Sequence, residues 1–190
     1  MIEPERVVAV LLTAGRSRRF GADDKLLASL DGEPLVVRAA RPLVELAPAR
    51  LLAVCNDGGS ETAWLLGRLG FEIVVNALAE RGLSTSLACG IARAEALAAP
   101  AALVCLGDMP FVSLAHLRSL LARFDAARAP IVASTPGETR SPPAVFARSL
   151  YTELRAGTGD GGARRLLRSA PAIAASAGEL RDIDRPDDLR

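Results

Sequence analysis

The sequence predicts an α/β domain built on a mostly parallel twisted sheet, and three features carry that expectation. Short apolar runs alternate with helix-period segments from residue 7 to residue 135. The runs are apolar throughout rather than alternating with polar residues, the pattern of strands covered on both faces. Half of the 190 residues are apolar, enough for one sizeable core, and the length suits one domain spanning 1–190. Together these predict three layers of Rossmann-like form, with helices on both sides of the sheet.

The elements follow in order. "VVAVLLT" (7–13) is a buried strand, and "PLVVRAARPLVELA" (34–47) a helix whose internal proline is a candidate break. "LLAVCN" (51–56) is a strand. "SETAWLLGRLG" (60–70) is a helix with Ser60 as N-cap and Gly70 as C-cap. "FEIVVN" (71–76) is a strand, "LSTSLACGIARAEALA" (83–98) a helix, "AALVCLG" (101–107) a strand, "SLAHLRSLLARFDAA" (113–127) a helix and "PIVAST" (130–135) a strand. Beyond 135 the alternation fades. "TPGETRSPPAVF" reads as turns, "SLYTELRA" and "GGARRLLRS" as short helices, and this last third as decoration on the sheet.

Composition excludes several classes. A net charge of +1 gives no electrostatic case for nucleic acid or an anionic membrane as partner. No apolar run approaches the ~18 residues of a membrane span. The first residues, "MIEPER", are not the basic start of a secretory leader, so the expectation is a cytoplasmic protein. Cys55, Cys89 and Cys105 stand among apolar residues without CxxC spacing, as buried reduced thiols do. The one histidine, His116, has no second histidine for a metal or a triad and reads as an ordinary surface or flanking residue.

The informative stretch is "TAGRSRRFGADDKLL" (13–27). It follows the first strand, and ligands of parallel sheets sit at the carboxyl ends of strands. It matches neither GxxxxGK[ST] nor GxGxxG. What it offers is small residues, Ala14 and Gly15, through which backbone amides approach an anion, and the cations Arg16, Arg18, Arg19 and Lys25. The chain holds 22 arginines and one lysine, and that lysine is Lys25. A compact ammonium differs from a guanidinium where one point charge must reach one oxygen in a tight site. A second candidate, Asp108 in "LVCLGDMPFVS", ends another strand, where a Mg²⁺ ligand would meet substrate phosphates.

These residues resemble a known family. "LTAGRSRRFGADDKLL" is similar to the nucleotide-binding signature of the nucleotidyltransferases related to molybdenum cofactor cytidylyl- and guanylyltransferases. Gly15, Ser17, Arg19, Gly21 and Lys25 fall on its pattern, and Phe20 stands where Met is common. Asp108-Met109-Pro110 matches the family's DMP. "VVNALAERGLSTSLACGI" matches its Asn…GxSxS stretch through Asn76, Gly82, Ser84 and Ser86. "TGDGGARRLL" resembles the GDxGAR segment of the cytidylyl branch, "TRSPPAVF" the RxxPxxF element with Ser141 where Gly is frequent, and "RDIDRPDDL" the closing DIDxPEDL.

The resemblance implies a nucleotide-diphospho-sugar transferase type of fold and a magnesium-dependent nucleotidyltransferase. It implies Lys25, Arg19 and Asp108 as catalytic residues, and Leu12, Thr13, Ala14, Gly15, Ser17, Arg19, Lys25, Asn76, Ser84 and Ser86 around the nucleotide. Ser84 and Ser86 also suit helix capping. Asp108 and Asp184 would hold Mg²⁺, and Arg164 and Pro143 would face the acceptor. Ala14, at the place where the branches differ, favours CTP over GTP. The acceptor would be molybdenum-bound molybdopterin, and the client a molybdenum hydroxylase. Rival readings are guanylyl transfer, transfer to another sugar or small-acid phosphate, and an NAD(P)-binding oxidoreductase or cofactor chaperone on the same scaffold.

Overall fold

The computed structural model describes residues 1–14, 24–157 and 161–189. β1 (Val7–Leu12) is buried along its whole length. A 3₁₀ turn at Lys25–Leu27 and a small hairpin of β2 (Ser29–Leu30) and β3 (Glu33–Pro34) lead into α1 (Leu35–Leu46). That helix runs through Pro42 without ending. β4 (Arg50–Cys55), α2 (Glu61–Arg68), β5 (Glu72–Val75), α3 (Leu83–Ala96), β6 (Ala101–Leu106), α4 (Leu114–Arg123) and β7 (Ile131–Thr135) follow as expected. Ser60 caps α2 by accepting from Ala63 N, and Ser113 caps α4 by accepting from His116 N. Gly70 closes α2 with φ of 91°, a conformation a side chain would strain.

The chain then departs from the sequence reading. β8 (Ser141–Ala147) is a strand, and α5 (Tyr151–Ala156), α6 (Gly161–Arg168) and β9 (Ala172–Ala174) complete the order. The seven-stranded sheet runs β5-β4-β1-β6-β8-β7-β9. β8 lies inside it, antiparallel to both neighbours, while the other pairs are parallel. The last third is therefore part of the sheet and not decoration upon it. Two prolines hid this strand, since proline cannot donate to a ladder. Here neither has to. Pairing with β6 stops at Ala144, and pairing with β7 slips between Ala133 and Ser134, so that Ser134 meets Ser141 and the prolines fall in the irregularity.

β1 shows how the layers form. Val7, Ala9 and Leu11 join the core under α1, α2 and α4, and Val8, Val10 and Leu12 join the core under α3, α5 and α6. At ~25 cal/mol per Å² of apolar surface, covering both faces is the main favourable term. α3 sits close enough that a Cβ on Gly90 would lie 2.5 Å from Val10 Cγ1 and 3.1 Å from Val54 Cγ2. Among the described residues, no helix is long and apolar enough to cross a membrane.

His116 is not at the surface. It is buried, and its Nε2 donates over 2.7 Å to Ser134 Oγ, which donates in turn to Pro143 O at 2.6 Å. The chain of bonds ties α4 to the irregular β7–β8 joint. Cys55 and Cys105 are buried and Cys89 half-buried, and burial pushes all three thiols up.

Two outcomes are expected. Gly90→Ala should lower stability by about 1–3 kcal/mol, the usual range for overpacking, although alanine favours helix; urea unfolding reads it. Burial lowers the His116 pKa from its ordinary 6.5, with Glu179 opposing. Its contribution is then complete above 6.5 and is lost as pH falls, because the unfolded chain takes the proton first. The urea midpoint of the parent should drop more steeply than that of His116→Gln between about pH 6.5 and 5.

Candidate active site

β1 and β6 are parallel neighbours, with Leu12 opposite Leu106. Their carboxyl ends therefore deliver Thr13-Ala14 and Gly107-Asp108 side by side. Gly107 N donates to Leu12 O at 2.9 Å, and a Cβ at Gly107 would lie 2.8 Å from Thr13 Cγ2. Glycine is what lets the two ends close to this distance. Thr13 Oγ1 donates to Val54 O at 2.8 Å, fastening the turn to β4.

The closing segment of the chain crosses the same rim. Ile183, fully buried, sinks into the core, and its N–H donates to Asp108 O at 2.9 Å. That anchor places Asp184 beside Asp108. Asp188 folds back, its Oδ2 accepting from the N–H groups of Asp184 and Arg185 at 2.9 and 2.7 Å; these bonds lower its pKa.

Lys25 meets both strand end and tail. Its Nζ donates to Asp108 Oδ2 at 2.7 Å, to Asp184 Oδ1 at 3.2 Å and to Ile183 O at 3.2 Å. The lysine side chain is 12% exposed and that of Asp108 24%. Burial pulls the lysine pKa down, but the charge and hydrogen bond of Asp108, with those of Asp184, outweigh it and the net shift is upward. Lys25 is charged at any working pH. Asp24 steadies its backbone: Oδ1 accepts from Leu26 N at 3.0 Å and Oδ2 from Thr62 Oγ1 of α2 at 3.1 Å. Asp182, at the cavity edge, has its pKa raised, first by partial burial and then by the charges of Asp184 and Asp108.

Beside this cluster opens a cavity of about 720 Å³. Its floor is apolar, from Leu12, Leu87, Leu106, Met109 and Phe146, and Arg140, Arg164 and Arg168 stand on its rim. The Arg140 Nε is buried without a hydrogen-bond partner among the described residues. An apolar floor under a few cations suits a flat organic body that carries an anion.

Of the residues singled out in the sequence, the structure brings together Lys25, Asp108 and Asp184, and sets Leu12, Ser84 and Arg164 on the cavity. Gly15, Ser17 and Arg19 lie outside the described residues. Asn76 and Ser86 are buried and spent on the frame: Asn76 Nδ2 donates to Ser86 Oγ and to Thr85 Oγ1, each at 2.9 Å, and Ser86 Oγ donates to Ala14 O at 3.4 Å. They brace the end of β1 at Ala14. Pro143 is buried behind the cavity wall, which Ser141 and Pro142 form. Arg168, four residues past Arg164 on one helix face, was within reach of the helical period. Nothing local announces Thr62 or Ile183.

A divalent cation fits the donor set. Asp108 Oδ1 is buried and has no hydrogen-bond partner among the described residues. No group of three or more His, Cys, Asp or Glu side chains forms a ready metal cage among them. Mg²⁺ does not ask for one: it takes one or two carboxylates and fills its shell with waters and phosphates.

Comparison with known proteins agrees with this architecture. Residues 9–175 match the MobA-like NTP transferase domain. The chain is 30% identical over 195 residues to the purine catabolism protein PucB of Bacillus subtilis, covering 96% of this chain and 93% of PucB. It is 27% identical over 123 residues to a probable molybdenum cofactor guanylyltransferase of Pyrococcus horikoshii, over 65% of this chain and 59% of that protein. The Rv0371c structure from Mycobacterium tuberculosis superposes with a TM-score of 0.83 at 24% identity, covering 97% of this chain and 95% of that one. The same protein's complex with manganese does so at 0.74 and 22%, covering 97% and 96%. A family model that spans most of the chain, on a sheet of matching architecture, makes this protein a nucleotidyltransferase of the MobA-like NTP transferase family.

Proposed function

We propose that the protein transfers a nucleoside monophosphate, CMP from CTP, to the terminal phosphate of molybdenum-bound molybdopterin and releases pyrophosphate. The observation that supports this reading best is Lys25 held against Asp108 and Asp184 at the carboxyl ends of β1 and β6, beside an apolar cavity rimmed by arginines.

The chemistry needs little from the protein beyond placement and charge. An acceptor phosphate oxygen forms a bond to the α-phosphorus, and the bond from that phosphorus to the bridging oxygen breaks as pyrophosphate leaves. A phosphate monoester is already largely ionised near pH 7, so no general base is required, and His116, spent on Ser134, is not one. Lys25 neutralises charge that builds on the phosphates in the transition state. Asp108 and Asp184 would hold the metal, which supplies Lewis-acid neutralisation of phosphate oxygens when bound. The cavity floor would take the pterin body, and Arg140, Arg164 and Arg168 the acceptor's phosphate. Arg19 is assigned to the triphosphate on the resemblance alone.

The choice of CTP rests on Ala14 and on the segment that ends in Arg164. The guanylyltransferase relative makes GTP the competing nucleotide, and guanylyl transfer is the second reading. A molybdenum hydroxylase is the proposed client, and the cytoplasm the proposed compartment.

Two measurements test this. Lys25→Ala and Asp108→Ala should each lower the rate of pyrophosphate release by about 10²-fold or more, the scale of one lost transition-state contact, with circular dichroism confirming that both variants fold. Parental turnover in either removes that residue from the mechanism. Calorimetric titration with CTP and GTP, in the presence of Mg²⁺, should show tighter binding of CTP. Tighter GTP moves the protein to the guanylyl branch, and no pyrophosphate release with either triphosphate overturns the transferase reading of this chain.

A further inference from the structure

We infer that the Lys25 ammonium and a divalent cation compete for the carboxylates of Asp108 and Asp184, and that the ammonium moves to phosphate when metal and nucleotide load together. This rests on the reading of Asp108 and Asp184 as metal ligands.

Among the described residues the ammonium meets Asp108 Oδ2 at 2.7 Å, Asp184 Oδ1 at 3.2 Å and Ile183 O at 3.2 Å. Two carboxylates and a carbonyl are the donor set of a hard divalent cation. Lysine carries three N–H donors on a compact charge, so it satisfies the same oxygens from the same side. Asp108 Oδ1, buried and without a hydrogen-bond partner among the described residues, is the oxygen a metal would meet first. A metal there would stand across one carboxylate from the ammonium on Oδ2, and the two cations repel because the side chains of Lys25 and Asp108 are mostly out of water. Metal and ammonium therefore weaken each other's hold on Asp108, and a metal that takes both carboxylates moves the lysine off.

The local build suits displacement. The backbone at Lys25 is fixed by Asp24, which caps its turn and is tied to Thr62 of α2. The four-carbon stem carries the rotatable bonds, and a triphosphate arriving at the neighbouring strand end would offer the ammonium new oxygens. Lys25 would then serve twice, as the ion between the two carboxylates and as the charge that meets phosphate. A guanidinium spreads its charge over a planar fork, whereas an ammonium concentrates it at one point as a metal ion does, which gives a reason for one lysine among 22 arginines. The device couples the two ligands: metal binds poorly alone and well with nucleotide.

Mn²⁺ serves as the probe, its binding read by electron paramagnetic resonance on the whole protein. Without nucleotide, Lys25→Met should bind Mn²⁺ at least about tenfold more tightly than the parent, the scale of removing one neighbouring charge from a half-buried carboxylate. In the parent, saturating Mn²⁺ should raise the rate at which Lys25 is acylated. Peptide mapping by mass spectrometry reads that apart from the N-terminal amine, because no other side chain carries an amine. Equal or weaker Mn²⁺ binding by Lys25→Met overturns the competition, as does acylation indifferent to Mn²⁺. If the parent takes up Mn²⁺ with CTP or GTP and loses it in Asp108→Asn, the metal site stands whatever becomes of the competition. If no Mn²⁺ binding depends on Asp108 under any of these conditions, the metal reading fails and the competition with it.

Discussion

The site depends on one cross-chain interaction, the ion pair between Lys25 and Asp108, 83 residues apart in sequence and 2.7 Å apart in space. Three separate pieces of the chain meet there: the turn after β1, the end of β6 and the closing segment through Ile183 and Asp184. A lone buried charge at this rim would be costly, and the pair removes that cost only because both partners are delivered together. The sheet does the delivering. β1 and β6 are neighbours in register, and Gly107 lets their ends approach until a cation and a carboxylate must face each other.

The second half of the site follows from the reversed strand β8. Inserted between β6 and β7, it widens the sheet and carries Ser141 and Pro142 to the wall of the cavity, opposite α6 with Arg164 and Arg168. His116 and Ser134 hold the joint where β8 leaves register with β7. A helix on one face of the sheet thus supports the wall of a cavity on the other. The Lys25–Asp108 cluster and the cavity adjoin at this rim, near Asp182 and Met109.

Much of this was legible in the residues. Apolar runs gave the parallel strands, Ser60 and Gly70 marked helix ends where they occur, and the unequal use of lysine and arginine singled out the ammonium that sits between the carboxylates. The missed strand has a local cause. Pro142 and Pro143 masked it because the irregular register that excuses them is a property of the pairing and not of the segment. Asn76 and Ser86, at a strand end and a helix start, suit a ligand and a frame alike, and here they bond to each other and to Ala14 O.

The sequence by itself determined the layered α/β form, the loop with its cations and the aspartate after β6, since each rests on periodicity or on short-range residue chemistry. Only the tertiary structure decided that β8 runs backwards inside the sheet, that Ile183 pins the tail so that Asp184 joins Asp108, and that Lys25 closes the cluster. Those are matters of which distant segments become neighbours. Packing of whole elements settles that, and no window of residues encodes it.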